Sequence, residues 1–294
     1  MSITVKLIGG VGNQLFQYAF ARSISSKLKT GIILDPYAFE TSFKMKGYSY
    51  ILDHFNIVNT RLAKSSDNFG LVWLYKHPWL FEQIINRFRF KYLIKNRFYQ
   101  EKGMPFNLEV FFKKDGTFFN GFWQTEKYFK DLTTEIRKEI TLKEPFSSHS
   151  AKIEQEINHS VAVSLHIRRY IPEGQKSGFR NCPVEYYERA IEYILAWEPA
   201  ARFFLFSDDY DWVKNNFNMS KYPVTLVDND NDKNCEDIIL MSHCRHHIIS
   251  NSTLSWWGAW LNPDPKKIVI APKDWPTPPK NDIRDLVPEE WIKI

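Results

Sequence analysis

Cysteine is scarce in this chain. Its three cysteines, Cys182, Cys235 and Cys244, are too few for a disulfide framework and fit a reducing compartment. His243, His246 and His247 lie close to Cys244, but the spacing from Cys235 to Cys244 matches none of the paired-ligand patterns of a zinc site, so no metal is expected. No stretch approaches the ~18 apolar residues of a membrane span, and the amino terminus lacks the apolar core of a secretion signal; the expected location is the cytoplasm. Internal repeats and low-complexity segments are missing too. Nor is the charge one-sided: 39 basic against 34 acidic residues leave +5, which permits an anionic ligand without calling for nucleic acid.

What is present is enough chain for one large domain or two ordinary ones, 294 residues of which 44% are hydrophobic, so a substantial core can be buried. Aromatic residues, at 16%, exceed the usual share. Such an excess accompanies sugar or ligand contact, although core packing takes most aromatic side chains. Basic and aromatic residues interleave from Asn86 to Lys102. That run reads as a solvated helix face, with peripheral contact to acidic lipid headgroups or a charged glycan carrier as the alternative.

The chain begins with a β-rich run, Ile3 to Ile8, then Gly9-Gly10-Val11-Gly12-Asn13-Gln14, then apolar residues at helical spacing (Leu15, Phe16, Ala19, Phe20, Ile24) and a second strand at Ile32 to Leu34. Strand, glycine loop, helix and strand suggest a nucleotide fold. The dinucleotide fingerprint fails because Leu15 stands at its third glycine position, and the phosphate-loop signature lacks its Gly-Lys-Ser/Thr. Gly10 and Gly12 therefore serve another close backbone approach. From Asp35 to about Lys114 the pattern suggests short helices and loops. Phe118 to Tyr128 reads as a strand and turn mixing aromatics with hydrogen-bonding groups, among them Trp123, Gln124 and Glu126, a mixture that sugar sites use. Glu144 to Ala151, with Pro145 and three serines, reads as a linker.

Beyond it, strands at 161–166, 203–206, 224–227, 247–250 and 268–270 alternate with helices at 184–197, about 209–217, 235–244 and 252–261, which implies a parallel sheet. The expected fold is α/β, two Rossmann-like halves joined near residue 150 and facing a cleft. Polar clusters fall at strand ends of the second half. His166, Arg168 and Arg169 follow an apolar strand, and paired guanidinium forks suit a phosphate or diphosphate. Ser207, Asp208 and Asp209 follow the next strand, where a carboxylate either accepts paired donors from a base or ribose or caps a helix. Asp209-Tyr210-Asp211 also mimics a metal-binding Asp-x-Asp, weakly. Ser250, Asn251, Ser252, Thr253 and Ser255 precede a helix with Trp256, Trp257 and Trp260, and hydroxyls beside free N–H groups at a helix start form an anion site.

Taken together, the segments Gly9-Gly10-Val11-Gly12-Asn13-Gln14-Leu15-Phe16-Gln17-Tyr18-Ala19, Gly121-Phe122-Trp123-Gln124-Thr125-Glu126-Lys127-Tyr128-Phe129, His166-Ile167-Arg168-Arg169 and Asn251-Ser252-Thr253-Leu254-Ser255-Trp256-Trp257-Gly258-Ala259-Trp260 closely resemble the bacterial α-1,2-fucosyltransferases of glycosyltransferase family 11. The resemblance implies a GT-B architecture, with residues 1–150 as the acceptor side and 151–294 as the GDP-sugar domain. It implies GDP-fucose as donor, inversion at the anomeric carbon, a galactose 2-hydroxyl as acceptor and no required metal or other cofactor. Arg168 would bind the β-phosphate, His166 would lie near the guanine or ribose, and Asn13 would sit at the reaction centre. Asn251, Ser252, Thr253 and Ser255 would hold the diphosphate, Asp208 or Asp209 the nucleoside, and Gly10 and Gly12 the donor through backbone. Trp123, Gln124, Glu126 and Tyr170 are expected on the acceptor side. The relatives usually continue His-x-Arg-Arg with Gly-Asp, whereas this chain has Tyr170 and Ile171; an acceptor loop reshaped through Pro172, Gly174 and Gly178 is the expectation. Asp35, Glu126, Glu173 and Asp228 are the candidates for a general base. Rival readings are a transferase using another GDP-sugar, such as mannose or a deoxysugar, and a sugar-binding relative without turnover.

Overall fold

The computed structural model describes residues 2–41, 47–64, 67, 97–169, 181–229, 234–275 and 282–294. The chain divides into two compact units, Met1–Glu139 with Asp282–Leu286, and Ile140–Asn281 with Val287–Ile294.

In the first unit, β1 (Ser2–Lys6) leads through the glycine loop into α1 (Val11–Leu28), followed by β2 (Gly31–Asp35), α2 (Tyr37–Thr41), β3 (Thr60–Leu62), β4 (Phe98–Gln100), β5 (Phe118–Asn120) and α3 (Thr133–Glu139). The strands form one sheet, β3-β2-β1-β5-β4, with every described pairing parallel. β1 and β2 read as nearly continuous apolar runs because both faces of a parallel sheet are covered; Ile3, Val5, Ile32 and Leu34 are all buried. On one face α1 buries Leu15, Phe16, Phe20 and Ile24. Phe20 lies flat on Trp123, ring centroids 4.0 Å apart, and Phe119 and Tyr128 meet the indole edge-on. This aromatic cluster absorbs much of the chain's excess of rings. The described end of the basic run is edge strand β4 rather than a helix face; residues 86–96 lie outside the described residues.

The second unit runs α4 (Ser148–Asn158), β6 (Val161–Ile167), α5 (Val184–Trp197), β7 (Ala201–Ser207), α6 (Tyr210–Asn216), β8 (Val224–Leu226), α7 (Asn234–His243), β9 (His246–Ile248), α8 (Thr253–Leu261), β10 (Val269–Ala271) and β11 (Ile292–Lys293). Its sheet has the order β11-β10-β9-β6-β7-β8, again parallel throughout. Alternation of strand and helix was the sequence signal, and each of those nine elements is found within a few residues of its expected bounds. The serine-rich stretch read as a linker is instead the start of α4. Ser147 accepts the Ser150 N–H at 3.3 Å as N-cap and donates its hydroxyl to Glu236 at 2.7 Å, while the division between units falls at Glu139/Ile140.

Where α7 and α8 pack, Gly258 admits Met241 so closely that an added Cβ would stand 2.6 Å from the Met241 Cβ. Neither backbone can yield without moving a helix. Gly258→Ala is therefore expected to lower stability by about 1–3 kcal/mol through overpacking, measured by urea unfolding. A double-mutant cycle with Met241→Gly, which removes the Cβ that alanine would keep, should show a smaller cost of the alanine at 258.

Candidate active site

In open parallel sheets, ligands bind outside the carboxyl ends of the strands where the strand order reverses. The second unit reverses at β6: the chain steps outward through β7 and β8, then returns to lay β9 on the other side of β6. The carboxyl ends of β6, β7 and β9 therefore meet, and they carry the three polar clusters.

At the end of β6, the Arg168 Nε forms an ion pair with Asp208 Oδ2 at 3.0 Å, and the Arg169 N–H donates to Asp208 Oδ1 at 2.7 Å. One carboxylate thus fixes both the guanidinium of Arg168 and the backbone that follows it. A contact through Nε orients the fork formed by the two terminal nitrogens. Asp209 does a different job: its Oδ1 accepts the Trp212 N–H at 2.9 Å and caps α6. The sequence left open which of the two aspartates caps the helix, and the structure gives that role to Asp209. The Arg169 guanidinium lies over the Trp212 indole, 3.6 Å from the ring centroid.

His166 is buried, and its Nδ1 shares a 2.9 Å hydrogen bond with the Ser250 hydroxyl. Burial holds its pKa well below the usual histidine range; the Asp208 charge opposes this and Arg168 reinforces it. The ring is neutral at pH 7. A second buried pair lies deeper on the same two strands. Asn262 is oriented by accepting the Asp264 N–H and donating to the Cys244 carbonyl, both at 2.8 Å, so its amide nitrogen donates to His247 Nε2 at 3.0 Å. The His247 proton then sits on Nδ1 and is donated to Ser164 Oγ, 2.8 Å away. These cross-strand pairs satisfy polar groups that would otherwise be costly to bury, and they pin β6 to β9 beneath the site.

After β9, Ser252 is the N-cap of α8, its hydroxyl accepting the Leu254 N–H. Ser255 donates to the Ser252 carbonyl at 3.3 Å, and Asn251 accepts from the Cys182 thiol at 3.4 Å. Capping therefore employs Ser252 alone, Ser250 holds His166, and Thr253 begins the helix with a half-exposed side chain.

The first unit repeats the geometry, its strand order reversing between β1 and β5. The loop after β1 turns at Gly9, whose φ of +77° and contact with the Asn13 side chain exclude a Cβ. Asn13 Oδ1 accepts from Gln124 Nε2 at 2.8 Å, so two expected site residues from opposite ends of the unit's sequence are in contact. The glycine loop itself is held by glutamines: Gln14 donates to the Gly9 and Ser49 carbonyls and accepts the Ile51 N–H, and Gln17 binds Ile8 and the Gly121 carbonyl. Gly10 and Gly12 lie in this loop and the first turn of α1.

Trp123 does not belong to an acceptor surface. It is fully buried in the aromatic core at a left-handed φ of 58°, and a ring with no exposed face cannot stack on a sugar. What holds that turn is Glu101, which sequence reasoning missed. Its carboxylate accepts the Phe122 N–H at 2.7 Å and the Trp123 N–H at 3.0 Å, and burial pushes its pKa up to about 7 against the pull of those two bonds. No motif marks Glu101, because it meets the turn only through the sheet. Among the general-base candidates, Asp35 is buried at the end of β2 with its pKa raised by burial, opposed by the Tyr37 N–H and by Lys6. Glu126 opens a short 3-10 turn and Asp228 is exposed beyond β8. Tyr170, Ile171, Pro172, Glu173, Gly174 and Gly178 lie outside the described residues. Among the described residues no three His, Cys, Asp or Glu side chains form a group that could hold a metal, and no helix is long and apolar enough to cross a membrane.

Two α/β units, each with a parallel sheet and a polar cluster at its switch point, make up a GT-B fold. Solved structures of that kind have the same fold: FUT1 of Arabidopsis thaliana in complex with GDP (TM-score 0.55, 11% identity, covering 94% of this chain and 72% of that one), and fucosyltransferase NodZ from Bradyrhizobium (TM-score 0.51, 15% identity, 89% and 94%). The description Glycosyl transferase family 11 matches residues 2–294, and the chain belongs to that family. Among curated relatives, an alpha-1,2-colitosyltransferase of Escherichia coli is 31% identical, covering 100% of this chain and 99% of its own. The O-antigen biosynthesis glycosyltransferase WbnK of Escherichia coli is 32% identical over 98% and 99%. A galactoside alpha-(1,2)-fucosyltransferase 1 of Ateles belzebuth is 24% identical over 48% and 42%.

Proposed function

We propose that this glycosyltransferase moves L-fucose from GDP-fucose, with inversion, to the 2-hydroxyl of a galactoside in glycan or O-antigen synthesis. The observation that carries the reading is the convergence of Arg168, oriented by Asp208, with the Ser252-capped start of α8, joined through the His166–Ser250 bond. Expelling GDP develops about one extra negative charge on the diphosphate. A fixed guanidinium fork and the N-terminus of a helix stabilise that charge more in the transition state than in the ground state. Neutral His166 adds no competing charge beside them. The carboxyl edge of the N-terminal sheet, with Asn13 and Gln124, is assigned to the acceptor. Incubation with GDP-fucose and a panel of β-galactosides, with linkage read by NMR, tests the reading; GDP release without a 1,2-linked product would overturn it. A second reading, transfer of a different deoxysugar from its GDP donor, is favoured by the colitosyltransferase relative, and competition between GDP-fucose and GDP-colitose separates the two.

Arginine and helix-start donors carry the leaving-group charge in this scheme, so turnover is expected to persist in excess EDTA. A rate lost on chelation and restored by magnesium or manganese would show that a metal shares that charge.

A further inference from the structure

The two adjacent arginines do not share one role. Arg168 is oriented by a carboxylate. Arg169 is not: among the described residues no carboxylate pairs with its guanidinium, which meets the indole of Trp212 instead. Every other part of Arg169 is fixed, its N–H by Asp208 at 2.7 Å and its carbonyl by the Asn181 amide at 3.0 Å. Trp212 is fixed in turn by the Asp209 cap on its N–H. Both side chains are half-buried, at the carboxyl edge of β6 and β7 within a residue of the phosphate-type arginine.

With its carbon 3.6 Å from the ring centroid, the guanidinium is too close to stand edge-on to the indole; it is a delocalised plane with one face covered, and such planes stack on nucleobases in the way aromatic rings do. Its N–H groups point outward in the plane and can still donate edgewise while the stack is kept, so base and phosphate roles are told apart by competition, not by the stack alone. We propose that the Arg169–Trp212 stack is the platform on which the purine base of the donor nucleotide lies, leaving the diphosphate to Arg168 and the start of α8. The proposal rests on the GDP-sugar reading above and adds a division of labour between neighbouring arginines.

Competition against the donor by GDP and by inorganic pyrophosphate, in the wild type, Trp212→Ala, Trp212→Phe and Arg169→Lys, tests it. Trp212→Ala is expected to weaken GDP on the order of tenfold or more while leaving pyrophosphate within twofold, to raise the donor KM more than it lowers kcat, and to be largely rescued in Trp212→Phe. Arg169→Lys, which keeps the charge but loses the plane, should follow Trp212→Ala. If pyrophosphate weakens in parallel with GDP, Arg169 is a phosphate ligand and the platform is wrong. If GDP is unchanged in every variant, the stack only packs α6 against β6, and the proposal is equally overturned. A wild type that binds no GDP would bring down the donor reading itself, an outcome distinct from both.

Discussion

Arg168→Lys should lower kcat/KM on the order of tenfold or more, and Arg168→Ala by about 10²–10³-fold, the range found when a preorganised charge-stabilising donor is deleted. Lysine keeps a positive charge but has one donor atom in place of a fork. It cannot hold Asp208 and present two parallel N–H groups to a diphosphate together. The loss corresponds to one charge-assisted hydrogen bond, about 1.5–3 kcal/mol. Alanine removes the bond and also leaves Asp208 facing the leaving group with the Arg169 N–H as a remaining donor, so repulsion adds to lost attraction. Steady-state kinetics with varied donor check this, with the effect expected in kcat because the charge grows only as GDP departs. Rates equal to wild type in Arg168→Lys would move the phosphate role elsewhere at the switch point.

The other large effect is on stability. Glu101→Ala should cost about 2 kcal/mol or more, because the Phe122 and Trp123 N–H groups lose their acceptor at a turn already strained by the left-handed φ of Trp123. The same carboxyl makes folding pH-dependent. Its pKa rises from an ordinary 4.5 to about 7 in the folded protein, so between those values the folded state holds a proton that the unfolded chain has released. Stability from this group is then fully present below about pH 4.5 and is lost as pH climbs through 7, by up to about 3 kcal/mol. Because the buried neutral histidines His166 and His247 act in the opposite sense below about pH 6.5, the effect is read as a difference: going from pH 5 to pH 8, the wild type should lose stability relative to Glu101→Gln in urea unfolding. An unchanged difference would place the titrating group elsewhere.

The second unit was legible in the sequence because its helices and strands have unambiguous lengths and periods: the helix expected at 184–197 runs Val184–Trp197. The gathering of its polar clusters was legible for a topological reason, since polar residues that follow apolar strands in a parallel sheet all emerge on one edge. What could not be read was pairing across the sheet. Nothing local distinguishes Asp208, which holds the arginines, from Asp209, which caps a helix. A Gly-aromatic-Gln stretch looks the same whether its tryptophan faces a sugar or the core; the deciding partners, Phe20 and Glu101, lie far away in sequence. Ser147 shows the same limit on a smaller scale, because a serine run with a proline serves equally as tether or cap, and the choice depends on Glu236.

The path of Asp282–Leu286 constrains how this protein is made. That segment belongs to the first unit: Asp285 accepts the Phe106 N–H at 2.9 Å and pairs with Lys127 at 2.6 Å, after which the chain supplies β11 to the second sheet. On the ribosome, the first unit must therefore wait for more than a hundred later residues before its last contacts form. A gene cut at the boundary between units would yield an amino-terminal piece missing its own closing segment, and only co-expression with the remainder would return it.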